Sequence, residues 1–194
     1  MVDSETRWRM VRRQKLRGVE PERAVSIRDA RSEDLPAIKD LYNYFIRNTV
    51  VTFDDRPLDL SYWQQKHELI AKFELPFLVL VRGDIEVIGF AFVAPWRQRS
   101  GYLKIVENSI YLSAPATGKR LGTMLLTELI VRCKAADVKE VIAVIADRGA
   151  DASIRLHTKL GFKEQGHLAK VGTRFGKPIG SFLLSLNLRR QALL

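Results

Sequence analysis

Apolar positions recur along this chain with two periods, and each change of period marks a change of element. Val25 to Arg28 is a short extended run. Ser32 is an expected N-cap, with Glu33 and Asp34 in a first turn whose dipole favours acids. Leu35, Ile38, Leu41, Tyr42, Phe45 and Ile46 then share one helical face. Thr49 to Pro57 breaks the pattern as a loop carrying Phe53. Asp59 caps a second helix from Leu60 to about Glu74, which Pro76 stops. Phe77–Val81 and Glu86–Ala94 read as a hairpin about Gly83-Asp84. Ile105–Leu112 and Glu140–Ala146 are further strands, and Ala152–Leu160 is a short helix closed by Gly161. Phe162–Val171 and Ser181–Leu188 form a last pair around a Gly/Pro-containing turn. Strands and helices in this order predict an α+β fold, a mixed central sheet flanked by helices.

The stretch from Ile105 to Ile130 carries the most chemical information. Its β-branched and aromatic strand ends in Ser113-Ala114-Pro115-Ala116-Thr117-Gly118, which has no regular period. From Lys119 on, Leu121, Met124, Leu125, Leu129 and Cys133 recur at helical spacing, with Thr123, Thr127, Glu128 and Arg132 on the other side. A strand ending in a tight basic loop that opens a helix aims several backbone N–H groups at one spot. With the helix dipole added, such a spot binds phosphate or pyrophosphate.

Composition narrows the partners. The 194 residues suit one domain, and the single cysteine excludes a disulfide framework. No apolar run approaches the roughly 20 residues of a membrane span, and no leader pattern opens the chain, so a cytoplasmic protein is expected. The net charge of +10 fits an acidic partner, but residues 1–24 hold seven Lys or Arg against four acids. That basic N-terminal extension, centred on Arg7 to Arg17, is expected to be an appendage to a domain over 25–188, with 189–194 as a C-terminal tail. The remaining charge forms no run alternating with aromatics, so nucleic-acid binding is not expected.

The same residues carry a family resemblance. The loop Thr117-Gly118-Lys119-Arg120-Leu121-Gly122 resembles the Q/R-x-x-G-x-G/A pyrophosphate loop of the GNAT superfamily of N-acetyltransferases. AFVAPWRQRSGYLKIVENSIYL (91–112) and SIRLHTKLGF (153–162) are similar to its phosphinothricin and methionine sulfoximine/sulfone N-acetyltransferase branch, with its V-E-x-S-[VI]-Y and S-[IV]-x-L-H-x-x-L-G-[FY] motifs. The resemblance spans roughly residues 25–188. It implies a GNAT fold, acetyl-CoA as co-substrate without a metal, the α-amine of a small amino acid or analogue as acceptor, and a homodimer.

Acetyl transfer needs a neutral amine, and an α-amino group with a pKa of about 8 must first lose a proton. Glu107 alternates in phase with Ile105, Ser109 and Tyr111 on a half-buried face, and the resemblance makes it the general base. The alternative is a structural ion pair with Arg97 or Arg99. His157 stands where many superfamily members place a tyrosine acid near the thiol, and it is the second catalytic candidate; the alternative is an ordinary surface histidine. Arg97, Arg99 and Tyr102 match the branch's W-[KR]-x-R-x-x-Y run, suited to a carboxylate or a tetrahedral oxygen pair. Phe53 completes the expected substrate side. Cofactor contacts are expected from Ile110, Tyr111, Leu112, Thr117, Gly118, Lys119, Arg120, Leu121, Gly122, Ala150 and Ser153.

Three positions depart from the family pattern. Thr117 replaces the first polar residue, Arg120 the middle glycine, and Ala150 an asparagine that contacts the pantetheine arm. If Arg120 must adopt φ > 0, holding it there costs about 1–2 kcal/mol. These departures leave open a silent CoA- or metabolite-binding module, and the acceptor choice leaves open another amine, protein N-termini included.

Overall fold

The computed structural model describes residues 24–83, 85–97, 99–102 and 104–189. The expected basic extension lies outside the described residues except for Ala24, as does the tail except for Arg189. The elements run β1 (Val25–Asp29), α1 (Leu35–Asn48), α2 (Leu60–Lys72), β2 (Phe77–Arg82) and β3 (Glu86–Pro95). They continue with β4 (Ile105–Leu112), α3 (Leu121–Ala135), β5 (Glu140–Ala146), α4 (Asp151–Lys159), β6 (Lys163–Arg174) and β7 (Lys177–Asn187). The sheet order is β1-β2-β3-β4-β5-β7-β6. Every neighbouring pair is antiparallel except β4 with β5.

Helices cover both faces, which is why β2 is apolar without alternation. Phe77, Val79 and Val81 point to one face, where Phe90, Phe92, Trp63 and Ile70 join Leu35 and Ile38 beneath α1 and α2. Leu78 and Leu80 point to the other, where Val106, Val141, Leu184 and Leu186 meet Leu121, Leu125, Leu126, Leu129 and Cys133 of α3. Cys133 is a core residue whose thiol burial pushes up to about 12.

Several local expectations change. Ser32 is not the cap: Asp34 accepts the Arg31 N–H at 2.8 Å and pairs with Arg28 at 2.6 Å. Burial opposes that charge, but Arg28 and the Arg31 N–H together hold the Asp34 carboxyl below its ordinary range. Ser32–Asp34 forms a single 3-10 turn before α1. In α3, Met124 is 46% exposed whereas Leu126 is fully buried, so the apolar stripe is rotated from the one the spacing implied. The last hairpin is longer than expected and turns on Phe175-Gly176, both at positive φ (48° and 72°), as a tight two-residue hairpin turn requires. Asp59 caps α2 as expected, accepting the Tyr62 N–H at 2.9 Å.

Candidate active site

The central irregularity of the sheet is a gap. The parallel strands β4 and β5 pair over only Ile105↔Glu140, Val106↔Val141 and Glu107↔Ile142. Beyond Glu107 they part, β4 running on to Leu112 and β5 to Ala146. Each then leads to a helix on the same face, β4 through residues 113–120 to α3 and β5 through 147–150 to α4. Two helix N-termini therefore converge at the carboxyl ends of diverging parallel strands, the usual ligand crevice of such sheets.

The loop before α3 is shaped for an anion. Gly118 lies at φ 74° and Arg120 at φ 61°, ψ 4°, so the middle residue of the motif is left-handed although it is not glycine. Lys119 and Arg120 are exposed at this turn. Gly122 allows α3 to approach: a Cβ there would stand 3.4 Å from Leu112 and 3.4 Å from Leu156. Ile110 and Leu112 face this side of the sheet and pack against the core around α3. Tyr111 does not. Its ring lies on the opposite face, stacked on Phe90 at 5.3 Å and edge-on to Tyr42 at 4.9 Å. Only its backbone borders the gap.

Glu107 shares that opposite face with Tyr111, opposite Ala94 in the register with β3. Burial raises its carboxyl above the ordinary range, and the Lys66 ammonium partly offsets the shift. The ion pair considered with Arg97 or Arg99 is not among the salt bridges of the described residues; Lys66 is the charged neighbour. Lys66 in turn lies over the rings of Tyr62 (5.4 Å) and Phe92 (5.9 Å).

On the same face as Glu107 an aromatic and hydroxyl wall ties the loop after α1 to the sheet. Tyr42 of α1 hydrogen-bonds Thr52 at 2.8 Å and donates to Asp54, both in the loop that carries Phe53. Burial drives the Tyr42 hydroxyl far up, and Tyr111 rises to about 12, again chiefly through burial. Phe53 is 41% exposed, with its ring against Gly172 of β6. Arg97 and Arg99 lie exposed just beyond β3, Arg97 over the Trp96 ring at 5.5 Å. Tyr102 closes the turn, its N–H bonding Arg99 O at 2.8 Å. The loop is anchored by the Trp96 N–H to Ile105 O at 3.1 Å, at the start of β4.

His157 belongs to the other side. It is 2% exposed, beneath α4, and both ring nitrogens are engaged within the protein. Nδ1 lies 2.8 Å from Ser153 O, and Nε2 lies 3.0 Å from the Asn108 side-chain nitrogen. Burial lowers its pKa, so the neutral ring is favoured. The surface-histidine alternative therefore fails, and the ring is separated from Glu107 by the sheet. Ala150 is buried at the start of α4, where its carbonyl accepts the N–H groups of Ser153 (2.8 Å) and Ile154 (3.1 Å).

Two residues next to the predicted ones escaped the sequence reading. Lys66 falls in register with buried Trp63 and Ile70, and a lysine on an inward stripe was the signal. Asn108 interrupts the file Val106–Ile110–Leu112, and a lone amide in an apolar file was the signal. A separate groove of about 580 Å³, lined by Ile27, Arg120, Thr123, Met124, Thr127 and Glu128, lies beside the loop that opens α3 and contains neither Glu107 nor Asn108. Among the described residues no cluster of His, Cys, Asp and Glu is arranged to hold a metal, and no helix is long and apolar enough to cross a membrane.

The crevice has an exposed basic loop opening α3 at one end and a half-buried carboxylate on the other face of β4, and the chain belongs to the acetyltransferase (GNAT) family, which matches residues 38–162. Within it, the chain is 37% identical over 165 residues to the L-methionine sulfoximine/L-methionine sulfone acetyltransferase of Pseudomonas aeruginosa, covering 85% of this chain and 95% of that one. It is 35% identical over 168 residues to the phosphinothricin N-acetyltransferase of Alcaligenes faecalis, covering 86% and 85%. The structure of yncA from Salmonella typhimurium with its cofactor acetyl-CoA matches with a TM-score of 0.82 at 32% identity, covering 87% of this chain and 96% of that one.

Proposed function

We propose that this protein transfers the acetyl group of acetyl-CoA to the α-amine of a small amino acid or analogue of the phosphinothricin, methionine sulfoximine or methionine sulfone kind. The observation that carries the reading is Glu107, a half-buried carboxylate with a raised pKa at the last paired residue before the β4–β5 gap. The similarity to the Pseudomonas and Alcaligenes enzymes supports the acceptor class.

The residues fit acetyl-CoA. Backbone N–H groups of residues 117–122 and the exposed Lys119 and Arg120 would hold the pyrophosphate, and the separated edges of β4 and β5 would hold the arm. When bound, the cofactor supplies the acetyl thioester. Ionised Glu107 takes a proton from the acceptor ammonium, directly or through a water. The neutral amine would then form the N–C bond as the C–S bond breaks, and the second proton that the nitrogen sheds would pass, directly or through a water, to the departing thiolate to give the thiol. Arg97, Arg99 and Tyr102 would orient the acceptor's acidic end, and Phe53 would wall the substrate side.

His157 takes a different role from the acid expected of it. With Nδ1 bonded to Ser153 O and Nε2 to Asn108, it has no proton free to give to sulfur, so we assign it as a positioning residue. The catalytic unit would be residues 25–188, acting in the cytoplasm as a homodimer. Exposed Leu168, Val171 and Phe175 on the β6–β7 hairpin support an apolar self-contact.

Thiol release from acetyl-CoA, measured over an amino-acid panel, tests the reading. Turnover confined to methionine sulfone, methionine sulfoximine or phosphinothricin is the expected result. CoA binding without turnover of any amine would leave a silent binding module instead.

A further inference from the structure

Asn108 is 6% exposed, and its side-chain oxygen has no hydrogen-bond partner. Which end of the amide is unpartnered follows from its neighbours. Ser153 O is a carbonyl and can only accept, so His157 Nδ1, 2.8 Å away, carries the proton. Neutral His157 then presents a lone pair at Nε2, and only the Asn108 –NH₂ can bond it at 3.0 Å. The chain Ser153–His157–Asn108 thus fixes Oδ1 as the free atom. A buried acceptor left unbonded costs about 1–3 kcal/mol, which favours a site where a ligand supplies the donor.

Its position says which donor. Asn108 is the first residue of β4 past the last β4–β5 pair, Glu107↔Ile142, and so lies at the narrow end of the gap. The anion loop at 117–122 lies at the wide end, past Leu112. A cofactor with its pyrophosphate at that loop brings the sulfur end of its arm to Asn108. The polar hydrogen nearest the sulfur of acyl-CoA is an amide N–H.

We infer that Asn108 is a cofactor-positioning residue, its side-chain oxygen accepting the sulfur-proximal amide N–H of the pantetheine arm, with His157 holding it in that orientation. The inference rests on the acetyl-CoA reading of the site.

Calorimetry on the wild type, Asn108→Leu and Asn108→Ser tests it with three probes: CoA, 3′,5′-ADP, which lacks the arm, and a CoA analogue with CH₂ in place of that N–H. One neutral hydrogen bond corresponds to about a 3- to 10-fold change in Kd. The wild type should bind CoA tighter than the analogue by that factor. Both variants should lose this preference and bind 3′,5′-ADP as the wild type does. An equal preference in variants and wild type overturns the assignment, as does a wild type indifferent to the N–H, the result expected if an ordered water satisfies Oδ1. Should neither variant fold, the wild-type comparison of CoA with the analogue still decides in the same sense. Failure of the wild type to bind either CoA or 3′,5′-ADP would sink the acetyltransferase reading itself. Intact 3′,5′-ADP binding with no CoA preference sinks only the role of Asn108.

Discussion

Glu107 and Asn108 are neighbours in sequence and face opposite sides of one strand, and their surroundings differ in kind. On the α1–α2 side, Glu107 is half-buried on the sheet face that carries Phe92 and Tyr111, where burial raises its pKa while the Lys66 ammonium restrains the rise. On the α3–α4 side, Asn108 and His157 are buried and neutral, joined in one directional chain. In the proposed reaction the group that gains and loses a proton is thus kept near water and beside a tunable charge. Groups that only orient are sealed away, since an ionised imidazole there would have to be desolvated. On the proposed roles, the sheet would separate proton chemistry from cofactor geometry by a single residue's alternation.

The sharpest way to break that division is Glu107→Gln, which keeps shape and removes the base. General-base catalysis contributes about 10²–10⁴ in rate, so kcat at pH 7 should fall within that range while CoA binding is unchanged. The deficit should shrink at higher pH, where more amine is already neutral. The stability sign is opposite. A carboxyl raised by burial favours its neutral form in the fold, so its cost is absent below the unfolded value of about 4.3 and full above the raised folded one. Glu107→Gln should therefore melt higher than wild type at pH 7, and the difference should vanish near about pH 4. A less stable mutant with the wild-type pH profile would make Glu107 structural.

Next in size is Arg99→Ala. A charged hydrogen bond to an acidic substrate group contributes about 1.5–3 kcal/mol, so KM for the amino acid should rise about 10- to 100-fold. An anchor acts alike in ground and transition states, so kcat should change little. Unchanged KM would put the guanidinium in solvent and remove the physical support for an acidic acceptor.

Lys66→Met asks whether the proton side is tuned. Removing the ammonium removes the contribution that lowers the Glu107 pKa, and the acid limb of kcat/KM should move to higher pH. Because Lys66 is partly solvated, the movement should stay below about one pH unit. A limb that does not move would leave burial as the sole determinant.

The sequence revealed most of the frame because strands buried on two faces and helices buried on one leave different periods, as Phe77–Val81 and Leu35–Ile46 do. It concealed the parting of β4 from β5, since both remain good strands and only their separation creates the crevice. Asn108 and Lys66 were hidden for a related reason: an amide or ammonium in an apolar stripe acquires meaning only from what it meets across the fold. Arg120 was visible as a departure, but its backbone conformation was not.

Arg120 offers the smallest effect and the cleanest separation of strain from charge. At φ 61° it pays a left-handed cost of about 1–2 kcal/mol that glycine avoids. Glycine also adds unfolded-chain entropy costing roughly 0.5–1 kcal/mol, so Arg120→Gly should gain about 0.5–1 kcal/mol net. For a domain of this size that is a rise in Tm of roughly 1–4 °C. Arg120→Ala removes the same charge and keeps the strain, so it should not melt higher. If the exposed guanidinium also attracts the pyrophosphate, both variants should weaken CoA binding equally, and the loss should fade with added salt. A more stable glycine variant with undiminished CoA binding would make Arg120 a strained substitute whose anion site is built from backbone alone. A glycine variant no more stable than alanine would mean that the loop does not hold this residue left-handed in solution.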